Sequence, residues 1–506
     1  LFNNGDRLYK KFIQLFYKVD LDEINFNKSN FNSKSNFSFY VNKKFKILDL
    51  NFRSELFIEE FEYNIKNKNL KNFVTNYNDS IIFKKTKIQI EKQNKKWSFN
   101  GSSQYFLDDK LTNQIKFNII ENNGKFFFDS NIDLTPLRIE LKDLNFLKRE
   151  EIPAKLILIG NIKKNALFFK KLKFENFKNI INLKNLEIQN NKIIKFDSAN
   201  LRLINENKIL NQISLNTKNN NFQLTGKSFD AQTLIDKISK DKSDNSLFDL
   251  FENLNSNILI NIEEINLDQK NKVNNLNGNL EVKKNKIYNL DISSNFSQNE
   301  KLFLKVKTNK DETIITNFYS DRAKPFVKKY KFIKGFDDGH IDFQSIKKNN
   351  LTNSKLIIDN FKVQEVPILA KILTLASLQG IADLLTGEGI RFTDFEMLYS
   401  KEDNLTKIEE IYCIGPAVSI MMDGYIENDN LISLRGTLVP ATTINRTISS
   451  IPLLGDILVG KKVGEGVFGV SFKIKGPPKD LKTTVNPIKT LTPRFITRTL
   501  EKIKKN

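Results

Sequence analysis

The segment 467–475, VFGVSFKIK, alternates apolar side chains with small or charged ones. Its apolar positions fall on one side of an extended chain: Phe468, Val470, Phe472 and Ile474. The other side carries Gly469, Ser471, Lys473 and Lys475. Because successive side chains of a β-strand point to opposite faces, this stretch predicts a half-buried strand with one apolar face.

The same alternation recurs elsewhere, with apolar residues at every second position: Leu302, Leu304 and Val306; Val418, Ile420 and Met422; Ile432 and Leu434. Asparagine-rich stretches that favour tight turns separate such segments, at 122–124, 190–191, 277–278 and 428–430. Repeated strand and turn units with few helices favour an antiparallel meander over a parallel α/β sheet. We therefore predict a mainly β protein whose long curled antiparallel sheet forms an elongated apolar groove, with a few amphipathic helices in the C-terminal half.

Helical periodicity appears in four segments: 230–254, 366–386, 442–459 and 487–503. The first predicts two short helices joined by a linker, and the second has Pro367 where a helix would start. We therefore predict three regions: a repetitive β-groove region at 1–229, a helical insertion or linker at 230–257, and a region of sheet and amphipathic helices at 258–506.

The charge of the chain is compatible with several kinds of partner. A net charge of +21 suits nucleic acids, anionic membranes and acidic proteins. Of the 80 basic residues only 11 are arginine, and the lysines are scattered through nearly every segment. Because nucleic-acid recognition more often concentrates arginine on one element, we expect no nucleic-acid partner.

The sequence offers no set of residues that converges on catalysis. A single Cys413 and a single His340 exclude an intrachain disulfide and a Cys/His zinc site. The glycines of 464–469 match a dinucleotide-binding pattern, but a helix-like segment precedes them and a strand-like segment follows, which is the reverse of the required order. Adjacent carboxylates such as 59–60 would face opposite ways on a strand. We expect no enzyme activity, cofactor or metal site.

The repeated one-sided strands carry the functional prediction. A sheet with one apolar face must pack on a second layer or curl into an open trough, and a trough would hold acyl chains out of water. An ordinary sandwich core remains the alternative. The candidates for lining a lipid groove are Leu302, Leu304, Val306, Val418, Ile420, Met422, Ile432, Leu434, Phe468, Val470, Phe472 and Ile474.

The C-terminal segment is amphipathic if helical. Apolar and basic side chains there would suit an anionic membrane surface, although packing on the protein's own sheet is an equal alternative. The membrane-surface candidates are Arg494, Phe495, Arg498, Leu500 and Lys502.

Four motifs in the C-terminal half carry a resemblance to a known family. They are FQLTGKSFDAQTLID at 222–236, VPILAKILTLASLQGIADLLTGEGIRFTDFE at 366–396, LRGTLVPATTINRTISSIPLLGDILVG at 434–460 and GEGVFGVSFKIKGPPKDLKTTVNPIKTLTP at 464–493. In this order, they resemble the AsmA-like C-terminal domain of bridge-like lipid-transfer and outer-membrane assembly proteins, α-proteobacterial type. The resemblance covers roughly 220–500, and the first 220 residues match only in their strand and turn style.

The resemblance implies a periplasmic protein anchored in the inner membrane through an N-terminal segment that this chain lacks. It implies a conduit for phospholipid between inner and outer membranes that supports outer-membrane assembly. The partners would be phospholipid or another acyl lipid, a membrane surface and envelope proteins. The alternative function is an envelope assembly scaffold that carries no lipid.

Overall fold

The structure is a computed structural model that describes residues 24–25, 30–45, 47–64, 74, 80–93, 96–107, 113–163, 166–219, 221–239, 248–327, 335–364, 366–375, 387, 389–428, 430–440, 470–478 and 480–486. The protein is mainly β: of the residues that the structure describes, 73% lie in strands and 5% in helices, and the sheet is mostly antiparallel. The predicted fold class is therefore confirmed. The chain divides into two compact units, Leu1–Lys270 with Val282–Lys286, and Asn271–Glu281 with Ile287–Asn506.

The first unit consists of short and medium strands joined by tight turns. Its strands are β1 Ile24–Asn25, β2 Phe31–Val41, β3 Ile47–Asn64, β4 Ser80–Gln93, β5 Lys96–Phe106, β6 Asn113–Asn122, β7 Lys125–Asp133, β8 Ile139–Leu141, β9 Phe146–Lys148, β10 Lys155–Lys163, β11 Ala166–Asn176, β12 Asn179–Gln189, β13 Lys192–Lys195, β14 Ser198–Ile204, β15 Leu210–Lys218, β16 Asn221–Asp230 and β17 Ser256–Asn266. A 3-10 helix at Lys142–Leu144 and helix α1 at Gln232–Ser239 complete the unit.

Most neighbours along the chain of the first unit pair in antiparallel fashion. The β8–β9 hairpin stands apart from the main sheet, so that β7 pairs directly with β10. Strands β16 and β17 pair in parallel. A parallel pair requires a crossover connection, and residues 231–255, which include α1, provide it.

The crossover segment confirms one predicted helix and contradicts the other. Helix α1 forms as expected, but residues 248–254 form a turn in which the Phe251 N–H donates to the Phe248 carbonyl over 2.9 Å. The backbone here bonds to β13 instead, because the Ile193 N–H donates to the Leu250 carbonyl over 2.7 Å. Pairing with a distant strand therefore outweighs local helical periodicity.

The second unit continues the antiparallel pattern. Its strands are β18 Lys272–Lys283, β19 Lys286–Asn295, β20 Lys301–Thr308, β21 Ile314–Ser320, β22 Asp337–Lys348, β23 Leu351–Val363, β24 Ile390–Glu402, β25 Leu405–Ile414, β26 Val418–Glu427, β27 Leu431–Pro440, β28 Val470–Gly476 and β29 Lys482–Asn486. The residues of β18 and β19 that fall within 282–286 belong to the first unit. From β19 to β29 each strand pairs with the next. Its helices are α2 Lys324–Val327 and α3 Pro367–Leu375.

Helix α3 confirms the predicted helix start at Pro367. Residues 376–386 and the predicted helices at 442–459 and 487–503 lie outside the described residues. The turns at 122–124, 190–191 and 428–430 are confirmed where described, since Asn123, Asn190, Asn191 and Asn428 have positive φ.

The turn predicted at 277–278 is wrong, because Gly278 lies inside β18. A Cβ at Gly278 would stand 2.5 Å from Cγ2 of Ile292 on β19. The glycine is there for a close approach between strands rather than for a turn.

Candidate functional site

Strand pairing in the first unit aligns one residue from each of twelve strands across a single face. We call this set the first central row: Leu56, Ile88, Gly101, Phe117, Ser130, Leu158, Leu172, Leu183, Ala199, Leu215, Leu224 and Ile260. All but Ser130 are apolar or glycine. The row therefore forms an apolar band that crosses the strands.

The sequence neighbours of these twelve residues form the corresponding row on the other face. They are Phe57, Lys87, Ser102, Lys116, Asn131, Ile157, Lys173, Asn182, Asn200, Ser214, Thr225 and Asn261. Ten of the twelve are polar or charged, so the two faces of the sheet differ sharply along this band.

Every member of the first central row is half-buried. A face that packed fully against a second protein layer would bury such residues, as happens in an ordinary core. Soluble proteins rarely leave contiguous apolar surface open to water without a binding purpose. The row is thus the first unit's strongest candidate for a ligand-facing surface.

One end of this apolar face is closed by protein. The neighbouring row, two residues along each strand, includes Phe174, and the ring of Phe146 packs edge-on against that ring at 6.2 Å. Phe146 belongs to the segment 134–154, which contributes Leu134, Leu137 and Ala154 to the same buried cluster. The segment acts as an end cap, and the first central row lies beyond it.

A buried lysine holds the end cap in shape. Lys148 is 1% exposed, and its Nζ donates to the main-chain carbonyls of Leu134 over 2.6 Å, Leu137 over 2.7 Å and Thr135. Burial lowers the pKa of Lys148 to about 8, although nearby acids such as Asp133 act in the opposite direction. All three donors of the ammonium group are satisfied by one loop, which indicates a structural role.

The second unit carries an equivalent band. The second central row is Ile292, Leu304, Phe318, Phe343, Leu356, Met397, Ile411, Met422, Gly436, Phe472 and Val485. Every side chain in it is apolar. All members are half-buried except Ile411 and Phe472, which are buried.

Helix α3 closes part of this face. Its buried residues Leu369, Ile372 and Leu373 pack in one cluster with residues of the next two rows, including Leu438 in the nearer row and Val418 in the farther one. Ile372, Leu373, Val418 and Leu438 are at most 2% exposed, so protein side chains fill this part of the face completely. An apolar face that is half open and half capped is therefore common to both units.

The groove candidates from the sequence gather on one face of the second unit, wherever the structure describes them. They fall in four rows with α3 nearest the first: Val418; Leu302, Ile420 and Val470; Leu304, Met422 and Phe472; Val306, Leu434 and Ile474. Ile432 lies on the same face, beyond Leu434. Phe468 and the membrane-surface candidates Arg494, Phe495, Arg498, Leu500 and Lys502 lie outside the described residues.

The sequence analysis predicted a β-groove region at 1–229 but named no lining residues there, so it missed the members of the first central row. Their signal was present in alternating segments such as 114–119, but the candidates were taken only from the C-terminal half. It also missed an aromatic group on the same face, in which the rings of Phe52 and Trp97 lie 5.9 Å apart and those of Trp97 and Phe99 lie 6.3 Å apart.

Cys413 and His340, two residues weighed for catalysis, lie on different strands of the second unit, β25 and β22. Cys413 is buried on the apolar face between Phe395 and Ile420, and burial raises the pKa of its thiol. His340 is exposed, with Nδ1 3.4 Å from the Asp321 carbonyl. In the described ranges, no three His, Cys, Asp or Glu side chains stand close enough to hold a metal ion. No helix in the described part of the chain has both the length and the apolar character to cross a membrane.

Comparison with known proteins gives no assignment: no family model matches the chain, and no curated protein matches it.

Proposed function

We propose that this protein is a periplasmic lipid-handling protein, a bridge-like conduit that carries phospholipid between the inner and outer membranes and supports outer-membrane assembly. Acyl chains lie along the half-exposed central rows, and head groups stay at the wet edge of the apolar face. The single observation that carries the proposal is the first central row, a half-buried apolar band across twelve strands with a polar row behind it.

The energetics of such a surface suit acyl chains. Each buried methylene contributes about 0.8 kcal/mol, and this contribution is nondirectional. Affinity should therefore depend on chain length much more than on head-group chemistry. The resemblance of the four C-terminal motifs to AsmA-like proteins supports the same substrate class and the periplasmic location, with membrane attachment through an N-terminal segment.

A second candidate function rests on α3. Because Leu373 and its neighbours fill part of the second unit's apolar face, that part behaves as an ordinary protein core. An envelope assembly scaffold would need such a core and no lipid. The two functions differ in whether lipid accompanies the purified protein.

The experiment purifies the full chain without detergent and records native mass spectra with extraction of bound lipid. The lipid function predicts copurifying phospholipid, which falls severalfold in the double variant Ile88→Lys and Leu304→Lys, one substitution in each central row. The matched control is Gln89→Lys with Phe303→Lys, which places the same charges on neighbouring exposed residues of the opposite face. Absence of lipid from the wild-type protein would favour the scaffold.

A further inference from the structure

The hairpin between β2 and β3 exposes an unusual number of aromatic rings. Phe45, Tyr40 and Phe37 are 91%, 72% and 66% exposed, and Phe39 is exposed beside them. Phe45 stands at the tip, in a turn where its N–H donates to the Asn42 carbonyl over 2.9 Å. Transfer of an aromatic ring from water into an apolar phase lowers the free energy, so this tip is suited to entering such a phase.

The charges around these rings are mainly positive. Residues 30–48 contain four lysines and no acidic residue, and Lys43 and Lys44 directly precede Phe45 at the tip. The first carboxylate after the tip is Asp49, which lies on β3 across from the stretch between Ser38 and Tyr40. Aromatic rings beside lysines are the composition that binds at the interface of an anionic bilayer, where rings enter the head-group region and ammonium groups meet phosphates.

The exposed rings connect to the apolar face of the first unit. Phe37 stacks with Phe39 at 6.2 Å and pairs across the strands with Phe52. Phe52 contacts Trp97, which stacks on Phe99, two residues along β5 from Gly101 of the first central row. Aromatic rings thus lead from the hairpin to the band where acyl chains are proposed to lie.

We infer that the β2–β3 hairpin is a membrane-docking tip, which inserts Phe45 and its neighbours into an anionic bilayer surface and passes acyl chains along the Phe37–Phe52–Trp97 rings. The passage of chains rests on the proposed function. Docking itself requires only the exposed rings and the lysines.

Pairing with a partner strand is less compatible with the same observations. The β2–β3 register is irregular between Ser38 and Tyr40, in the middle of the aromatic group. Such bulges twist an edge away from straight pairing, and lysines near an edge also oppose it. An anionic lipid surface imposes no register and is attracted by the lysines.

The test measures flotation of the full chain with two kinds of vesicle, phosphatidylethanolamine with phosphatidylglycerol, and phosphatidylcholine alone. The key variant is Phe45→Asn, since asparagine tolerates the positive φ of 55° at this position. Its matched control is Phe177→Asn, because Phe177 is also a turn residue with positive φ and is 74% exposed, but lies on the β11–β12 turn. A second variant, Phe37→Ser with Phe39→Ser, tests the adjoining rings.

Docking predicts that Phe45→Asn lowers binding to the anionic vesicles about tenfold, which is the effect of losing one buried aromatic ring, while Phe177→Asn binds like wild type. Binding to phosphatidylcholine alone should be weaker for all variants. Equal binding by Phe45→Asn and wild type would overturn the inference. So would the absence of vesicle binding together with a dimer, seen by sedimentation, that dissociates in Phe45→Asn.

Trp97 separates failure of docking from failure of lipid handling, because it is the only tryptophan in the chain. Monomeric dibromostearate, whose bromine atoms quench tryptophan at short range, reaches the apolar face without a vesicle. Quenching that persists in Phe45→Asn, with lost vesicle binding, supports both proposals. Vesicle binding that depends on Phe45 without any quenching of Trp97 would retain the docking tip and overturn the passage of acyl chains.

Discussion

The ring of Phe472 on β28 lies directly over Gly436 on β27, so that a Cβ added to Gly436 would stand 2.6 Å from the ring Cζ. Side chains on this face are therefore packed across strands as well as along them. Glycine leaves the space that the neighbouring phenylalanine fills.

Replacing Gly436 by alanine should destabilise the second unit by about 1 to 3 kcal/mol, because the added methyl group meets both the Phe472 ring and, closer still, the main-chain carbonyl oxygen of Met421. Chemical denaturation measures the loss. Combining Gly436→Ala with Phe472→Leu should recover part of the lost stability, because the leucine side chain is smaller and leaves room for the added methyl group. Strict additivity of the two losses would contradict the packing relationship.

Removing the side chain of Leu373 should cost about 2 to 5 kcal/mol, because this residue of α3 is fully buried on the apolar face. Leu375→Ala on the same helix is the control, since Leu375 is 51% exposed and should change stability little. Similar midpoints of thermal unfolding for the two variants would show that α3 does not close the face.

Lys148 should make the stability of the first unit depend on pH. Burial lowers its pKa in the folded protein to about 8, below the ordinary lysine value of 10.5. Between these values the unfolded chain holds the proton and the folded chain releases it, so stability rises with pH through this window and is lowest below about pH 8. The contribution is about 1 to 3 kcal/mol over the window.

The comparison that isolates this effect is wild type against Lys148→Met, with unfolding measured from pH 7 to pH 10. The stability difference between the two proteins should change across this range in the direction given above. A difference that stays constant with pH would mean that Lys148 titrates normally in the folded protein.

Fatty-acid affinity should rise with chain length, by about tenfold for every two carbons that the central rows cover. Exchanging the phospholipid head group at constant chain length should change affinity far less, because burial of the chain has no directional element. Competition against a fluorescent fatty acid measures both series. A flat dependence on chain length, or strong head-group selection, would argue against an apolar band as the binding surface.

Much of the fold follows from side-chain alternation alone. A period of two in segments such as 301–307 assigns Leu302, Leu304 and Val306 to one face, and the structure places them together. The antiparallel arrangement also follows, because tight asparagine turns return the chain directly to the neighbouring strand.

What could not be predicted depends on contacts between distant residues. The segment 248–254 lost its predicted helix to a pairing with Ile193, which lies more than fifty residues earlier in the chain. Phe52 on β3 contacts Trp97 on β5, and no local sequence pattern predicts the register that brings these two residues together. The capping of the apolar face by Phe146 and Leu373 likewise required the packed structure.

Acyl chains are proposed to occupy the first central row, and two adjacent positions on β4 test this occupancy. A photo-crosslinking residue at Ile88 lies in the row, and the same residue at Gln89 points to the opposite face. After irradiation in cells and purification, mass spectrometry should find phospholipid attached at position 88 and little at position 89. Equal labelling at both positions, or no lipid at position 88, would contradict the account.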